Sequence, residues 1–279
     1  MPWEIKFIQA LQSFDSAPIL YFNKAMTSLG EVYFFLVFLS VSWVIAPRRF
    51  SIHFTFLLLF TVLVNTVLKE IFLRPRPFVL NPHLQLFAAE GYSFPSGHSQ
   101  IAVVFWGYLA YYVRNKRFTI LCLALMLFIG ISRTYLGVHY PTDVLSGWFM
   151  GLVCLALYFA SQNFWQQYHK TTAIFFVVAA MISVQFFHTE LLVPALGGLV
   201  GTIIGCYLAA QYLNFTLATS KSNNILRIAV SIIGTLLLYF CGKEFFPRTD
   251  MIRFVHYALI LLWMSFMAPK LCCWKGSND

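Results

Sequence analysis

Charged side chains are scarce in this sequence. Asp, Glu, Lys and Arg make up only 10% of its 279 residues, whereas 59% are hydrophobic, and the mean hydropathy is +0.73. Soluble domains carry charges at about a quarter of their positions. The deficit excludes an ordinary soluble domain and predicts an integral membrane protein.

Metal-binding patterns are also missing. The six cysteines are scattered without the spacing of a zinc site or a disulfide framework, and the carboxylates form no cluster of the kind that binds divalent cations. We therefore expect no metal ion and no other cofactor. The net charge of +9 is typical of basic loops that set membrane topology, so we expect no nucleic-acid partner.

Long apolar runs are abundant and lack the two-residue alternation of membrane β-strands, which predicts helices. About 20 apolar residues span a bilayer as a helix. The expected fold class is all-α, a polytopic membrane helix bundle of about nine transmembrane helices; the shorter runs leave eight or ten open. The nine runs are 28–46, 52–73, 97–114, 118–137, 142–161, 172–188, 191–213, 225–241 and 252–269.

The chain divides by content into three parts. Residues 1–27 carry a helical stripe of apolar residues and are expected to form an amphipathic N-terminal segment on the membrane surface. Residues 28–161 contain five spans and every polar motif, and residues 162–279 form a C-terminal extension of four spans. Because basic residues prefer cytoplasmic loops, the short loops at 47–51 and 114–117 place the N-terminus outside and the C-terminus inside.

Three short segments carry polar residues that the composition otherwise excludes: Lys69 to Pro77, Pro95 to Ser99 and Ser132 to Asp143. Each segment lies at the end of a different predicted span. If successive spans alternate in direction, all of these ends fall on the outer face of the membrane. We therefore expect the three segments to form one site.

The cations of these segments suit a phosphate group. Lys69, Arg76 and Arg133 would clamp its negative charge. Ser96 is placed as the N-cap of a helix whose free N–H groups bind anions, and Gly97 lets the backbone approach closely. The inventory therefore predicts a phosphate-binding site.

Two imidazoles and a carboxylate complete the inventory. His139 would attack phosphorus, Asp143 would accept a hydrogen bond from the other ring nitrogen, and His98 would donate a proton to the departing oxygen. Taken singly, Arg74 and Arg76 also fit interfacial anchors, and no catalytic or binding role is predicted for Arg74. Ionisable residues within a membrane are functional candidates by default, so these three are the predicted catalytic residues.

Together the three segments resemble the signature of the type 2 phosphatidic acid phosphatase superfamily. Its elements are Lys, six residues and Arg-Pro; then Pro-Ser-Gly-His; then Ser-Arg, five residues, His, three residues and Asp. The sequence matches all three, and the resemblance covers about residues 50–160. The outside N-terminus and the nine spans are similar to those of sphingosine-1-phosphate phosphatase and glucose-6-phosphatase.

The resemblance implies a role for each matching residue. His139 would be the nucleophile that forms a phosphohistidine intermediate, Asp143 would support it, and His98 would be the general acid. The family's reaction needs no metal ion. The residues that would hold the phosphate are Lys69, Arg76, Ser96, Gly97 and Arg133.

The expected function is that of a metal-independent phosphatase acting on a lipid phosphate monoester or diphosphate at the non-cytoplasmic face. The expected partners are a phosphorylated lipid and membrane lipids, and the expected location is a bacterial inner membrane with the site on the periplasmic side. A lipid phosphotransferase would use the same motifs and stays an alternative. A lipid or anion transporter is disfavoured, because the C-terminal spans contain almost no buried charge.

Overall fold

A computed structural model of the chain describes residues 2–14, 16–161, 178, 192–213, 221–247 and 249–272. Every regular element in these ranges is a helix, which confirms the predicted fold class. Helices lie at eight of the nine predicted spans; the sixth, residues 172–188, falls outside the described residues apart from position 178.

The helices are numbered in chain order, with a short 3-10 turn at Pro82–Leu84 and a π-helical turn at Trp263–Met267. They are α1 Pro2–Gln12, α2 Ala17–Ser28, α3 Val32–Ile45, α4 Arg48–Phe72, α5 Pro77–Leu80, α6 Gly97–Val113, α7 Lys116–Tyr135, α8 Pro141–Ser161, α9 Leu192–Tyr212, α10 Lys221–Phe245, α11 Asp250–Leu262 and α12 Ala268–Cys272.

Six helical stretches in the described part of the chain are long and apolar enough to cross a membrane, and the bent pair of α2 and α3 passes as a seventh. The six are built on α4, α7, α8, α9, α10 and α11. The protein is therefore an integral membrane protein. The predicted total of nine spans stays a prediction.

Contacts between residues divide the chain into two compact units. Unit 1 comprises residues 1–31 and 60–167, and unit 2 comprises residues 32–59 and 168–279. All the polar motifs therefore lie in unit 1, whereas α3 and the first half of α4 group with the C-terminal helices. The predicted division into an N-terminal segment, a core and an extension stays a prediction.

Two helix starts in unit 1 follow from local sequence patterns. The Ser96 hydroxyl caps α6 by accepting a hydrogen bond from the Ser99 N–H, which confirms the predicted N-cap. Helix α8 begins at Pro141, where the fixed backbone angle of proline suits the first turn, and Asp143 lies in that turn. The predicted motifs thus stand at the starts of two helices.

Glycines bring α8 close to α6. A Cβ on Gly147 would lie 2.5 Å from the carbonyl oxygen of Ser96, and one on Gly151 would lie 2.7 Å from that of Gln100. Any larger residue would push the helices apart. This close approach places the start of α8 beside the start of α6.

Helix α1 packs against unit 1 through one face. Ile8 is buried in a cluster with Leu84 and Tyr140, and the Gln12 amide donates hydrogen bonds to the carbonyl oxygens of Leu84 and Tyr135 at 2.9 and 2.8 Å. The predicted apolar stripe is exposed at Trp3, Phe7 and Phe14. The segment therefore contacts protein on one side and keeps an apolar side free for the membrane surface.

In unit 2, glycines on α9 bring this helix against α11. A Cβ on Gly197 would lie 2.1 Å from the carbonyl oxygen of Phe254, and one on Gly201 would lie 2.1 Å from that of Ala258. Small residues four positions apart commonly allow such close packing of membrane helices, where no hydrophobic effect drives association.

Candidate active site

The ends of four helices meet in unit 1. The Ser96 N–H, at the start of α6, donates to the carbonyl oxygen of Asp143 in α8 at 3.0 Å. Asn65 of α4 donates to the carbonyl oxygen of Pro95 at 3.3 Å. Arg76, just beyond α4, donates to the carbonyl oxygen of Val138, beyond α7, at 2.9 Å. Residues of all three predicted segments are therefore in direct contact.

His139 lies at the centre of this junction and is only 1% exposed. Its Nε2 lies 3.2 Å from Nη1 of Arg76. On the other side of the ring, Nδ1 lies 3.3 Å from Oγ of Ser93 and 3.5 Å from Oδ2 of Asp143. The ring therefore has a guanidinium at one nitrogen and a hydroxyl and a carboxylate at the other.

Ser93 connects His139 to Asp143. Its hydroxyl donates to Oδ2 of Asp143 at 2.5 Å, so its oxygen is free to accept from the Nδ1–H of His139. Asp143 also accepts from the backbone N–H of Tyr140 at 2.9 Å. These bonds favour the tautomer that carries its proton on Nδ1, which leaves the Nε2 lone pair for attack.

A second cation, Arg74, pairs with Asp143. Its Nη1 lies 2.6 Å from Oδ1 of Asp143, and its Nη2 lies 2.7 Å from Oε2 of Glu4. Arg74, for which the sequence indicates only an interfacial anchor, is therefore part of the network behind His139. The sequence around Arg74 contains no signal that distinguishes an interfacial anchor from a partner of Asp143.

Backbone carbonyl groups hold Arg76 in place. Beyond its contacts with Val138 and His139, its Nε donates to Gly91 at 2.9 Å and its Nη2 to Glu90 at 2.6 Å. Lys69 is anchored in the same way, because its Nζ donates to the carbonyl oxygen of Tyr92 at 2.6 Å. The loop before α6 thus folds back over one cation in the last turn of α4 and another just beyond it.

Arg133 is the most deeply buried of the three predicted cationic phosphate ligands, at 2% exposure. Its Nη1 donates to the hydroxyl of Thr27 in α2, whereas its Nε has no hydrogen-bond partner among the described residues. A buried guanidinium with an unused donor is costly unless an anion supplies the missing bond. The role of Arg133 as a phosphate ligand stays a prediction, for which this Nε–H would be an available donor.

His98 and its neighbours line the other side of the junction. Its Nε2 lies 3.2 Å from Oε1 of Glu31. A Cβ on Gly30 would lie 2.4 Å from the His98 ring, so only glycine fits against it there. On Gly97, a Cβ would approach Oδ1 of Asn65 to 3.0 Å, which agrees with a backbone that must pass close to another helix.

The positive charges of the junction act on the nucleophile candidate. Burial lowers the pKa of His139 well below its ordinary value, and the neighbouring charges of Arg76, Arg133, Lys69 and His98 lower it further. His139 therefore carries a neutral imidazole at neutral pH, with a lone pair available on nitrogen.

The predicted site residues are thus gathered in one unit, while the roles assigned to them stay predictions. The sequence predicts no role for Thr27, Glu31 and Ser93, which touch them, or for Glu4, which touches Arg74. Single polar residues far from the motifs carry no pattern. In the described part of the chain, no three His, Cys, Asp or Glu residues are placed to share a metal ion.

An apolar groove of about 410 Å³ lies in the same unit. Its lining includes Leu68 and Phe94, which directly precede Lys69 and the Pro95 to His98 segment in the chain. The remaining lining residues are Phe72, Leu145, Ser146, Phe149 and Met150. The groove and the cationic segments are therefore formed by neighbouring positions of the same stretches of chain.

Two family models match most of the chain. The model of the PAP2 superfamily matches residues 50–167, and that of the PAP2 superfamily phosphatase transmembrane extension matches residues 193–278. Phosphatidylglycerophosphatase B of Bacillus subtilis is 38% identical over 104 residues, which are 34% of this chain and 49% of that protein. The chain thus spans about half the length of this curated relative.

Two further comparisons agree. The putative undecaprenyl-diphosphatase YbjG of Escherichia coli is 34% identical over 124 residues, 43% of this chain and 60% of that protein. The crystal structure of a transmembrane PAP2-type phosphatidylglycerolphosphate phosphatase from Bacillus subtilis superposes with a TM-score of 0.52 at 26% identity, covering 58% of this chain and 85% of that one. The chain therefore belongs to the PAP2 superfamily.

Proposed function

We propose that this protein is a membrane phosphatase that releases phosphate from a lipid phosphate monoester or diphosphate through a phosphohistidine intermediate, without a metal ion. One observation carries the proposal. The neutral, buried His139 presents Nε2 to Arg76 at 3.2 Å, and Ser93 and Asp143 support its other nitrogen. The names of the relatives, a phosphatidylglycerophosphatase and an undecaprenyl-diphosphatase, agree with it.

In the first step, Lys69, Arg76 and Arg133 hold the phosphate, and the N–H groups at the start of α6 add neutral donors. The Nε2 lone pair of His139 forms a bond to phosphorus as the bond from phosphorus to the leaving oxygen breaks. His98 gives its proton to that oxygen, so the dephosphorylated lipid leaves as an alcohol or, from a diphosphate, as a monophosphate.

In the second step, water attacks the phosphohistidine. His98, now neutral, takes a proton from the water as its oxygen bonds to phosphorus, and the bond between phosphorus and Nε2 breaks. Phosphate leaves, and His139 returns to its neutral form with the proton on Nδ1. The Asp143 carboxylate stabilises the cationic ring of the intermediate through Ser93.

The apolar groove supports a lipid as the substrate. Its lining is continuous in sequence with Lys69 and with the start of α6, so a phosphate held at the junction leaves its hydrocarbon tail beside apolar side chains. Moving a tail out of the bilayer would cost about 0.8 kcal/mol for each methylene group. A substrate that keeps its tail in the membrane avoids this cost.

We further propose that the site faces the non-cytoplasmic side, with the protein in a bacterial inner membrane and its N-terminus outside. The short basic loops at 47–51 and 114–117 support this orientation. Cysteine labelling at loop positions in intact cells tests it. Labelling of residues 74–94 only after permeabilisation would contradict it.

The first experiment replaces His139 with alanine and measures phosphate release from detergent-solubilised protein. The substrates are phosphatidic acid, phosphatidylglycerophosphate and undecaprenyl diphosphate. Removing the nucleophile should cost on the order of 10,000-fold in kcat. His83→Ala is the matched control, since this imidazole is exposed in the same unit. Turnover retained by His139→Ala would refute the nucleophile assignment.

A quench experiment separates hydrolysis from transfer. Substrate labelled with ³²P should leave acid-labile, alkali-stable label on the wild type and none on His139→Ala. Vanadate should inhibit, and EDTA should not. If added lipid alcohol, rather than water, receives most of the label, the protein is a phosphotransferase that shares the first step.

A further inference from the structure

Helix α1 lies outside residues 50–167, which match the PAP2 superfamily model, yet it reaches the network behind His139. Its Glu4 is only 3% exposed. Oε2 of Glu4 accepts from Nη2 of Arg74 at 2.7 Å, and Oε1 accepts from the hydroxyl of Thr142 at 2.5 Å. A buried carboxylate from the N-terminal helix thus binds two neighbours of Asp143.

Arg74 is shared between two carboxylates. Its Nη2 faces Glu4, while its Nη1 donates to Oδ1 of Asp143 at 2.6 Å and to the Thr142 hydroxyl at 2.7 Å. Its guanidinium carbon lies 4.1 Å above the centre of the Tyr140 ring. The planar guanidinium group of Arg74 is therefore oriented by both carboxylates, because each accepts a hydrogen bond from a different nitrogen.

The rest of α1 sets the position of Glu4. One turn further along, Ile8 is buried against Leu84 and Tyr140. Two turns further along, Gln12 donates to the carbonyl oxygens of Leu84 and Tyr135. Three successive turns of the helix thus make specific contacts, so the register that brings Glu4 to Arg74 is determined.

We propose that Glu4 is a positioning residue for phosphoryl transfer, and that α1 is an integral part of the active site. Glu4 draws Arg74 towards itself, so that Arg74 orients Asp143 without neutralising it completely. Asp143 then keeps enough negative charge to stabilise His139 through Ser93. The proposal rests on the proposed function, because it concerns the same nucleophile.

The predicted consequence is specific to the chemical step. The His139 ring becomes cationic when its Nε2 bonds to phosphorus, and the negative charge of Asp143 stabilises that state. Without Glu4, Arg74 has one carboxylate instead of two and neutralises Asp143 more fully. Within the described part of the chain, Glu4 hydrogen-bonds to Arg74 and Thr142 and not to the predicted phosphate ligands, so substrate binding should change little.

The test compares Glu4→Gln, Glu4→Asp and Lys6→Gln in the full-length protein. Lys6 is exposed on the same helix and provides the control. For Glu4→Gln we expect kcat to fall about 10-fold to 30-fold, with KM within twofold of wild type and a slower rise of the phosphohistidine signal. Glu4→Asp should recover part of kcat, because aspartate keeps the negative charge on a side chain that is shorter by one methylene group.

A mutant cycle with Arg74→Gln tests the coupling. Because Glu4 acts through Arg74, the double variant should be no slower than Arg74→Gln alone. The proposal would be overturned if the kcat of Glu4→Gln equals that of the wild type, or if its KM rises by the same factor as its kcat falls. Additive losses in the mutant cycle would also overturn it. If Glu4→Gln does not fold, the kcat and KM of Glu4→Asp decide by the same criteria.

The outcomes separate this inference from the proposed function. If the wild type releases no phosphate from any lipid, or if His139→Ala remains active, the proposed function fails. If the wild type is active, His139→Ala is inactive and Glu4→Gln equals wild type, only the role of Glu4 fails.

Discussion

The interiors of the two units differ in kind. In the described part of unit 1, five acidic, basic or imidazole side chains are buried: Glu4, Arg76, Arg133, His139 and Asp143. In the described part of unit 2, the buried polar residues are hydroxyl-bearing apart from His256, and no Lys, Arg, Asp or Glu is among them. Both units are built from apolar helices, so the difference does not come from the surrounding solvent.

Each interior meets the cost of burying polar groups in a different way. Several hydroxyls in unit 2 bond within their own helix, as when Ser40 donates to the carbonyl oxygen of Leu36, one turn earlier, and Ser265 to that of Leu261, both at 2.6 Å. Such bonds satisfy the side chain at little cost. A buried charged side chain is not satisfied by such a bond within its own helix, and buried charges in membrane proteins are found mainly at functional sites. Unit 1 therefore holds the charges that the proposed function uses, whereas the described part of unit 2 holds small polar residues that fit between packed helices.

In the comparison of the two units, the largest effect should come from removing a buried charge in unit 1. Arg133→Leu deletes a guanidinium that has an unused Nε donor, and kcat/KM should fall about 1000-fold, equivalent to about 4 kcal/mol. Steady-state kinetics with a lipid phosphate measures the loss.

Thermal unfolding with vanadate supplies the control. A ligand at 100 times its Kd adds about 2.7 kcal/mol of stability to the folded state, so vanadate should raise the Tm of the wild type and not that of Arg133→Leu. An equal rise in both proteins would show that Arg133 does not hold the anion.

In unit 2, the largest effect should be on stability. Gly201→Val would place a Cβ about 2.1 Å from the carbonyl oxygen of Ala258, so α9 and α11 would have to separate. Overpacking of this kind costs about 3 kcal/mol. The Tm in detergent should fall, while kcat per folded molecule should not.

Gly198→Ala is the matched control on the same helix, because its Cβ would lie 3.4 Å from side-chain atoms of Leu261 and Leu59. Its Tm should stay near that of the wild type. Equal losses in the two variants would contradict close glycine packing as the reason for the effect.

A serine in unit 1 should matter to catalysis. Ser93→Ala removes the hydroxyl between His139 and Asp143. One lost hydrogen bond to the cationic ring is worth about 1.4 kcal/mol, or roughly tenfold in kcat. Rapid-quench measurement of phosphohistidine formation tests this, and an unchanged rate would mean that His139 pairs with Asp143 directly.

The smallest effect should come from a serine in unit 2. Ser231→Ala removes a hydrogen bond of 2.9 Å from its hydroxyl to the carbonyl oxygen of Ser40. Hydrogen bonds between membrane helices are worth about 0.6 kcal/mol on average, so the Tm should change slightly and kcat not at all. A loss of kcat like that of Ser93→Ala would remove the distinction between the two interiors.

Much of the fold and the inventory of the site could be predicted from local patterns. Apolar runs predict the helices, Ser96 is a helix N-cap, and Asp143 follows a proline at a helix start. These predictions succeed because capping and hydropathy depend on residues within a few positions of one another. The pairing of Arg74 with Glu4 could not be predicted in this way, because the two residues are 70 positions apart.

The sequence by itself determined that the chain is a membrane helix bundle and that one end of it gathers cations, imidazoles and a carboxylate. Only the tertiary structure decided that Ser93 stands between His139 and Asp143 and that Glu4 holds Arg74 from the other side. The physical reason is the separation along the chain of the residues that determine each feature. Helix formation in a membrane follows from the average polarity of about 20 neighbouring residues, whereas a hydrogen bond depends on two atoms within about 3 Å of each other, however far apart their residues lie in the chain.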